Sequence, residues 1–206
     1  TLFWRKSYLN CIVIPVFHGT GGEDGVAQGM LEFNDIAYAG SDVRASTIGM
    51  DKNLFKMVMR HHKLPVLDWQ VVTKSNPSSF KIAFPYPVIV KPAHLGSSIG
   101  VKKCESDDQV NDQLSVVFEL DNQAIIEPYL SNMTEINCSV LGTVDNNQAS
   151  VCEQPIAADD ILSFSDKYMR DGKNKGTKSA GMASLDRRIP APISKDLTER
   201  IQSTSQ

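Results

Sequence analysis

A mixed α/β (α+β) fold in more than one part follows from three features of this 206-residue chain. Short apolar runs bounded by glycine or proline alternate with longer segments of helical periodicity. The aliphatic run 11–17 (CIVIPVF) is continuous, as in a strand covered on both faces, and 88–90 is another apolar strand. The stretch 166–184 is polar and dotted with glycine, the composition of a functional lid or a disordered loop.

The elements read off in order. A buried strand is expected over 11–17, then a glycine-rich turn over 18–25 (HGTGGEDG). A helix follows, carried by Val26, Met30, Leu31 and Phe33, with Glu23 and Asp24 where the helix dipole favours carboxylates. A short second strand spans 36–39. One helix is expected over 45–63, stopped by Pro65, with Ile48, Leu54, Phe55, Val58 and Met59 as its apolar side. A strand over 66–72 follows, then a short helix capped by Asn76 with Pro77 at its first position. Strands are expected at 88–90, at Val101 and at 124–127. Ser106 begins a helix to Leu120 with Asp107 and Asp108 in its first turn. Residues 135–141 (EINCSVL) alternate like a half-buried strand, which 150–153 pairs across a turn at 145–147. Residues 194–206 read as a helix.

Composition narrows the function. With 41% hydrophobic and 22% charged residues the chain has an ordinary globular make-up. A net charge of -3 and the lack of any long basic run argue against nucleic acid as a partner. No run of eighteen apolar residues suggests a membrane span. Cys11, Cys104, Cys138 and Cys152 form no C-x-x-C pair and have no histidine cluster beside them. They read as free thiols of a reducing, cytoplasmic compartment, with no zinc site and no metal-ligand set.

Four groups of residues carry chemistry. Lys91 leaves a strand and is followed by Gly96-Ser97-Ser98-Ile99-Gly100. A fixed cation beside a loop of exposed amides and hydroxyls can hold a polyphosphate. A plain β-hairpin with a glycine turn fits that loop alone equally well. Glu127-Pro128-Tyr129-Leu130, followed by Glu135, suits a nucleoside clamp, with linker backbone for a base edge and a carboxylate for ribose. Two glutamates flanking a turn are, on the other hand, usually solvated. Lys167-Tyr168 lies inside the polar stretch, where a solvated loop is the bland alternative. His18, at the end of the first strand and beside a helix start, sits where α/β sheets bind ligands, although a lone histidine there is more often structural.

In this order the pieces resemble the D-alanine–D-alanine ligase family. The matching residues are His18-Gly19, Gly22-Glu23-Asp24-Gly25, Gln28-Gly29, Tyr38 with Gly40-Ser41, and Met50-Asp51-Lys52. Val90-Lys91-Pro92, Gly96-Ser97-Ser98 with Gly100, Glu127, Glu135 and Lys167-Tyr168 complete the set. The resemblance implies an ATP-grasp fold divided into a partial N-terminal α/β domain (1–45), a central ATP-grasp domain (46–128) and an incomplete C-terminal domain (129–206) with its lid at 160–184. It implies that Lys52 and Lys91 contact ATP phosphates and that Ser98 lies in the closing loop. Glu127 and the backbone of Tyr129 and Leu130 take adenine, Glu135 takes ribose, and Lys167 reaches the terminal phosphate. Tyr168 pairs with Ser97 near the substrate, and His18 stands by the first D-alanine.

The implied reaction joins two D-alanines through an acyl phosphate, for peptidoglycan precursors, with Mg²⁺ held by residues expected outside 1–206. A homodimer is the expected assembly. Two alternatives stay open: a truncated, non-catalytic ATP-grasp module that binds nucleotide, and a ligase using D-lactate or D-serine as second substrate.

Overall fold

A computed structural model describes residues 11–76, 80–156 and 187–206. The chain divides into two units, Thr1–Tyr129 and Leu130–Gln206.

In the first unit, the run 11–17 is not the doubly covered strand that its composition predicts. Val13 makes one parallel bridge with Tyr38, and Ile12, Ile14 and Val16 are 70%, 71% and 78% exposed. A strand is covered only where neighbours pair its edges and pack on its faces. Among the described residues a single bridge reaches this one. The expected strand at 36–39 contributes that bridge and nothing longer.

Helix α1 (Val26–Phe33) begins at Gly25, whose φ of 95° favours glycine. A Cβ there would stand 2.8 Å from the Val43 carbonyl oxygen. The two acids ahead of α1 hold its entry turn. Asp24 accepts from the Gly21 and Val26 amides at 2.8 and 3.1 Å, and Glu23 accepts from Gly19 at 2.6 Å. Where one helix is predicted over 45–63, two occur: α2 (Val43–Met50) and α3 (Lys52–His61). The break is Asp51. Its backbone is extended, and its carboxylate accepts from the Asn53 and Leu54 amides at 2.9 and 3.0 Å. A short acidic side chain that satisfies orphan amides starts a helix rather than continuing one.

The strands β1 (Gln70–Thr73), β2 (Val88–Pro92), β3 (Lys102–Cys104) and β4 (Gln123–Pro128) form an antiparallel sheet in the order β1-β4-β2-β3. Helix α4 (Asp107–Leu120) crosses from β3 to β4 over one face. Ser106 caps it by accepting from the Gln109 amide, as the sequence predicts. Val110, Leu114, Val117 and Phe118 pack there against Val72, Val88, Val90, Cys104, Ala124 and Ile126. Full burial of such a side chain is worth roughly 1.5–3 kcal/mol. Asn76 ends in a bend, and the helix predicted from Pro77 falls at 77–79, outside the described residues.

In the second unit the alternating run 135–141 yields only β5 (Val140–Gly142), which pairs with β6 (Asn147–Ala149) and is exposed. The predicted pairing of this run with 150–153 is nonetheless present: Asn137 and Glu153 exchange backbone hydrogen bonds, the Ser150 amide donates to the Ser139 carbonyl, and Ile136 and Cys138 are half-buried between exposed neighbours. Asn137 bridges Glu153 in a register one residue out of step with that hairpin, so a β-bulge lies between. The strands β7 (Gln154–Pro155) and β8 (Arg187–Arg188) form a second pair. Helix α5 (Lys195–Ser205), capped by Ser194, is fastened to the hairpin by Gln202 donating to the Ser150 carbonyl at 2.8 Å.

Candidate functional site

Side chains alternate across a strand, so the apolar face under α4 leaves the opposite face of β2 and β4 for other residues. Ile89 pairs with Glu127 and Lys91 with Ile125, which sets Lys91 and Glu127 as diagonal neighbours on that second face. Their side chains form an ion pair. Lys56 of α3 reaches the same carboxylate from outside the sheet, with its Nζ 2.9 Å from Oε2. That contact is a charge pair rather than an aligned hydrogen bond.

Glu127 is buried. Desolvation pulls its carboxyl upward, but Lys91 and Lys56 outweigh burial and hold it below the ordinary value. Trp69 supports the helix side of the cluster. Its Nε1 donates to Asn53 Oδ1 at 2.8 Å, while the Arg60 guanidinium lies 4.2 Å from its ring centre.

Lys52, at the start of α3, donates to the Ala93 carbonyl at 3.3 Å and to the Leu95 carbonyl. Burial first, and the Lys91 charge second, lower its ammonium to about 8. Ala93 and Leu95 open the glycine–serine loop. Ser97 and Ser98 both take left-handed backbone there, with φ of 53° and 59°. Two such residues in succession are costly, of order 1–2 kcal/mol each outside glycine. Gly100 closes the loop at φ 69°, where a Cβ would meet Pro92 Cγ at 2.9 Å and Leu120 Cδ1 at 3.2 Å.

His94 holds the base of this loop. Its amide and Nδ1 lie 2.8 and 2.9 Å from the two Asp121 carboxylate oxygens, and its Nε2 lies 3.4 Å from Asp51. Desolvation raises the Asp121 carboxyl, but the His94 ring and amide hydrogen bonds prevail and lower it.

Of the residues singled out in the sequence, Lys91 and Glu127 meet directly, and Lys52 with Ser97 and Ser98 borders them through the loop. Tyr129 extends the β4 edge by donating its amide to Pro87 at 3.1 Å, and Lys103 lies 4.7 Å from its ring centre. His18 is exposed in the turn before α1 and is not part of the lysine–carboxylate cluster. Leu130 and Glu135 belong to the second unit, both exposed. Lys167, Tyr168 and the lid at 160–184 lie outside the described residues. Lys56, Lys103 and His94 escaped the sequence reading. For Lys56 a signal existed: Lys52, Lys56 and Arg60 recur at every fourth position, one face of a helix.

The sequence model described as D-ala D-ala ligase C-terminus matches residues 58–205. The chain belongs to the D-alanine–D-alanine ligase family. A D-alanine–D-alanine ligase of Thermosipho africanus is 34% identical over 95% of the chain and 52% of its own length. D-alanine–D-alanine ligase A of Escherichia coli K12 is 34% identical over 93% of the chain and 50% of its own length. Among solved structures, the Coxiella burnetii D-alanine–D-alanine ligase superposes with a TM-score of 0.73 at 26% identity, over 93% of this chain and 48% of that one. A D-Ala:D-Ser ligase of Enterococcus faecalis superposes with a TM-score of 0.77 at 25% identity, over 94% and 54%. The chain thus spans about half the length of these family members. Its mixed helix-and-sheet architecture is the ATP-grasp fold of the family.

Proposed function

We propose that the protein is an ATP-dependent carboxylate–amine ligase that joins two D-alanines through an acyl phosphate, supplying a peptidoglycan precursor in the cytoplasm. The observation that carries this reading is the cluster of Lys91, Lys56 and Glu127 on the sheet face opposite α4, bordered by Lys52 and the glycine–serine loop. Three ammonium groups beside one buried carboxylate suit a polyanion next to a group that accepts from an amine.

On this reading Lys91 and Lys52 hold ATP phosphates, and Ser98 contributes to the loop over them. Glu127 accepts from the exocyclic amine of adenine, with the backbone at Tyr129 and Leu130 on the base edge and Glu135 on the ribose. Lys167 meets the terminal phosphate. Tyr168 with Ser97, and His18, attend the amino-acid substrate. Phosphoryl transfer asks for charge neutralisation and alignment more than covalent help, which lysines and oriented amides provide. Magnesium, when bound, neutralises phosphate charge. Among the described residues no three carboxylate, histidine or cysteine groups converge to hold it, so no residue of this chain is assigned to it.

Lys91→Ala is expected to weaken ATP binding to the 206-residue chain at least tenfold, about 1.4 kcal/mol, by calorimetric titration. Unchanged affinity sinks the assignment. Phosphate release from ATP and Mg²⁺ that requires D-alanine supports the ligase. Release that also requires D-serine moves the second substrate toward that of the Enterococcus faecalis relative, and release that also requires D-lactate makes a hydroxy acid the second substrate. Nucleotide binding without release favours a non-catalytic nucleotide-binding module.

A further inference from the structure

We propose that Cys138 and Cys152 form a redox-active dithiol that closes to an intramolecular disulfide by exchange with a low-molecular-weight disulfide such as oxidised glutathione. Asn137 and Glu153 face each other on antiparallel backbone and exchange both hydrogen bonds, at 2.7 and 2.9 Å. In such a ladder the next pair along is a non-hydrogen-bonded pair, whose Cα atoms stand about 4.5 Å apart with side chains on one face. Here that pair is Cys138 and Cys152, and the Cys138 thiol is near enough to raise the Cys152 thiol. About 4.5 Å lies inside the Cα separation that a disulfide spans. The bulge that begins just beyond the pair gives its backbone room to adjust.

The two thiols differ in access. Cys152 is 2% exposed, whereas Cys138 is half-buried and lines an open cleft of the second unit together with Ser150, Val151, Ile189 and Ile201. Burial, and then the neighbouring Cys138, push the Cys152 thiol up, which suits it to a second, intramolecular attack rather than to the first. Among the described residues no third histidine, cysteine or carboxylate joins them in a metal-ligand group.

The exchange balances. The Cys138 thiolate attacks one sulfur of oxidised glutathione, forming a mixed disulfide and expelling one glutathione thiolate. Cys152 releases its proton to solvent and attacks Cys138 Sγ, expelling the second. Two protein thiols become one disulfide, and one oxidised glutathione becomes two reduced molecules.

The test treats the native chain with oxidised glutathione, quenches in acid, alkylates the remaining thiols after denaturation and reads the masses. Cleavage at Asp145, which lies between the two cysteines, separates them for mapping. Two of the four thiols should be lost in a Cys138–Cys152 cross-link, and both should return with dithiothreitol. Cys152→Ser should arrest with glutathione retained on Cys138. A cross-link from Cys138 to Cys11 or Cys104 overturns the proposal. So does a mixed disulfide on Cys138 that Cys152 never resolves, or a Cys138 left unmodified in both proteins.

Discussion

The two faces of the β2–β4 pair are made of alternate residues of the same strands, yet they obey different rules. One face sets Val88, Val90, Ala124 and Ile126 against α4, and any aliphatic side chains of similar volume would satisfy it. The other sets Lys91 and Glu127 beside Lys56, where the groups are chosen in relation to one another. An apolar face tolerates loss in proportion to volume. A buried ionic face does not, because removing one partner leaves the others charged, desolvated and unpaired.

That difference can be broken at Glu127 first. Glu127→Ala should cost about 3–5 kcal/mol in urea unfolding, since it strands two ammonium groups at once. Val90→Ala, on the opposite face of the neighbouring strand, should cost roughly 2 kcal/mol from lost burial and a small cavity. The Glu127 carboxyl is held below its ordinary 4.5, so its stabilisation is present above that pH and is lost as pH falls through the depressed value. The gap between Glu127→Ala and the parent chain should therefore close in acid, while the Val90→Ala gap should not. Equal costs for the two variants at neutral pH would remove the distinction between the faces.

A smaller effect concerns Lys52, lowered to about 8 by burial and by Lys91. A bound phosphate favours the charged ammonium. Nucleotide affinity should then fall about tenfold per pH unit above 8, as the free protein loses a proton that binding must restore. Stability should move the other way. The unfolded chain keeps its proton toward the ordinary 10.5, so this lysine raises stability as pH climbs from about 8. Titrating a nucleotide into the parent and Lys52→Arg chains from neutral to alkaline pH reads the effect. Arginine stays charged, so its profile should be flat. A matching decline in both would exclude Lys52 as the titrating group.

The sequence showed the ionic face poorly and the apolar face well, for a physical reason. Continuous aliphatic runs and the capped segment from Ser106 report burial locally, and the strand at 88–90 and helix α4 formed where their periodicity places them. Lys91 and Glu127 are far apart in sequence and meet only through strand register, which no local pattern encodes. Asp51 could have been read as a cap ahead of Lys52, which would have divided the predicted helix. The run at 11–17 misled for the opposite reason. It has strand composition, but pairing depends on what lies alongside, and among the described residues Val13 finds only Tyr38. His94 had no signature at all: its role comes from Asp51 and Asp121 converging on it from two other elements.

The smallest effect is expected on the apolar side. Ser106 accepts from the Gln109 amide at the start of α4, the helix that covers that face. Ser106→Ala should cost about 1 kcal/mol, the usual worth of a lost cap. Because the apolar side of α4 packs against the face remote from Lys91, the cost should appear in unfolding and leave nucleotide affinity unchanged. A loss of affinity in step with stability would mean that the two faces respond as one body, with Gln113, which donates from α4 to the Gly100 carbonyl at 2.7 Å, as the link from helix to loop.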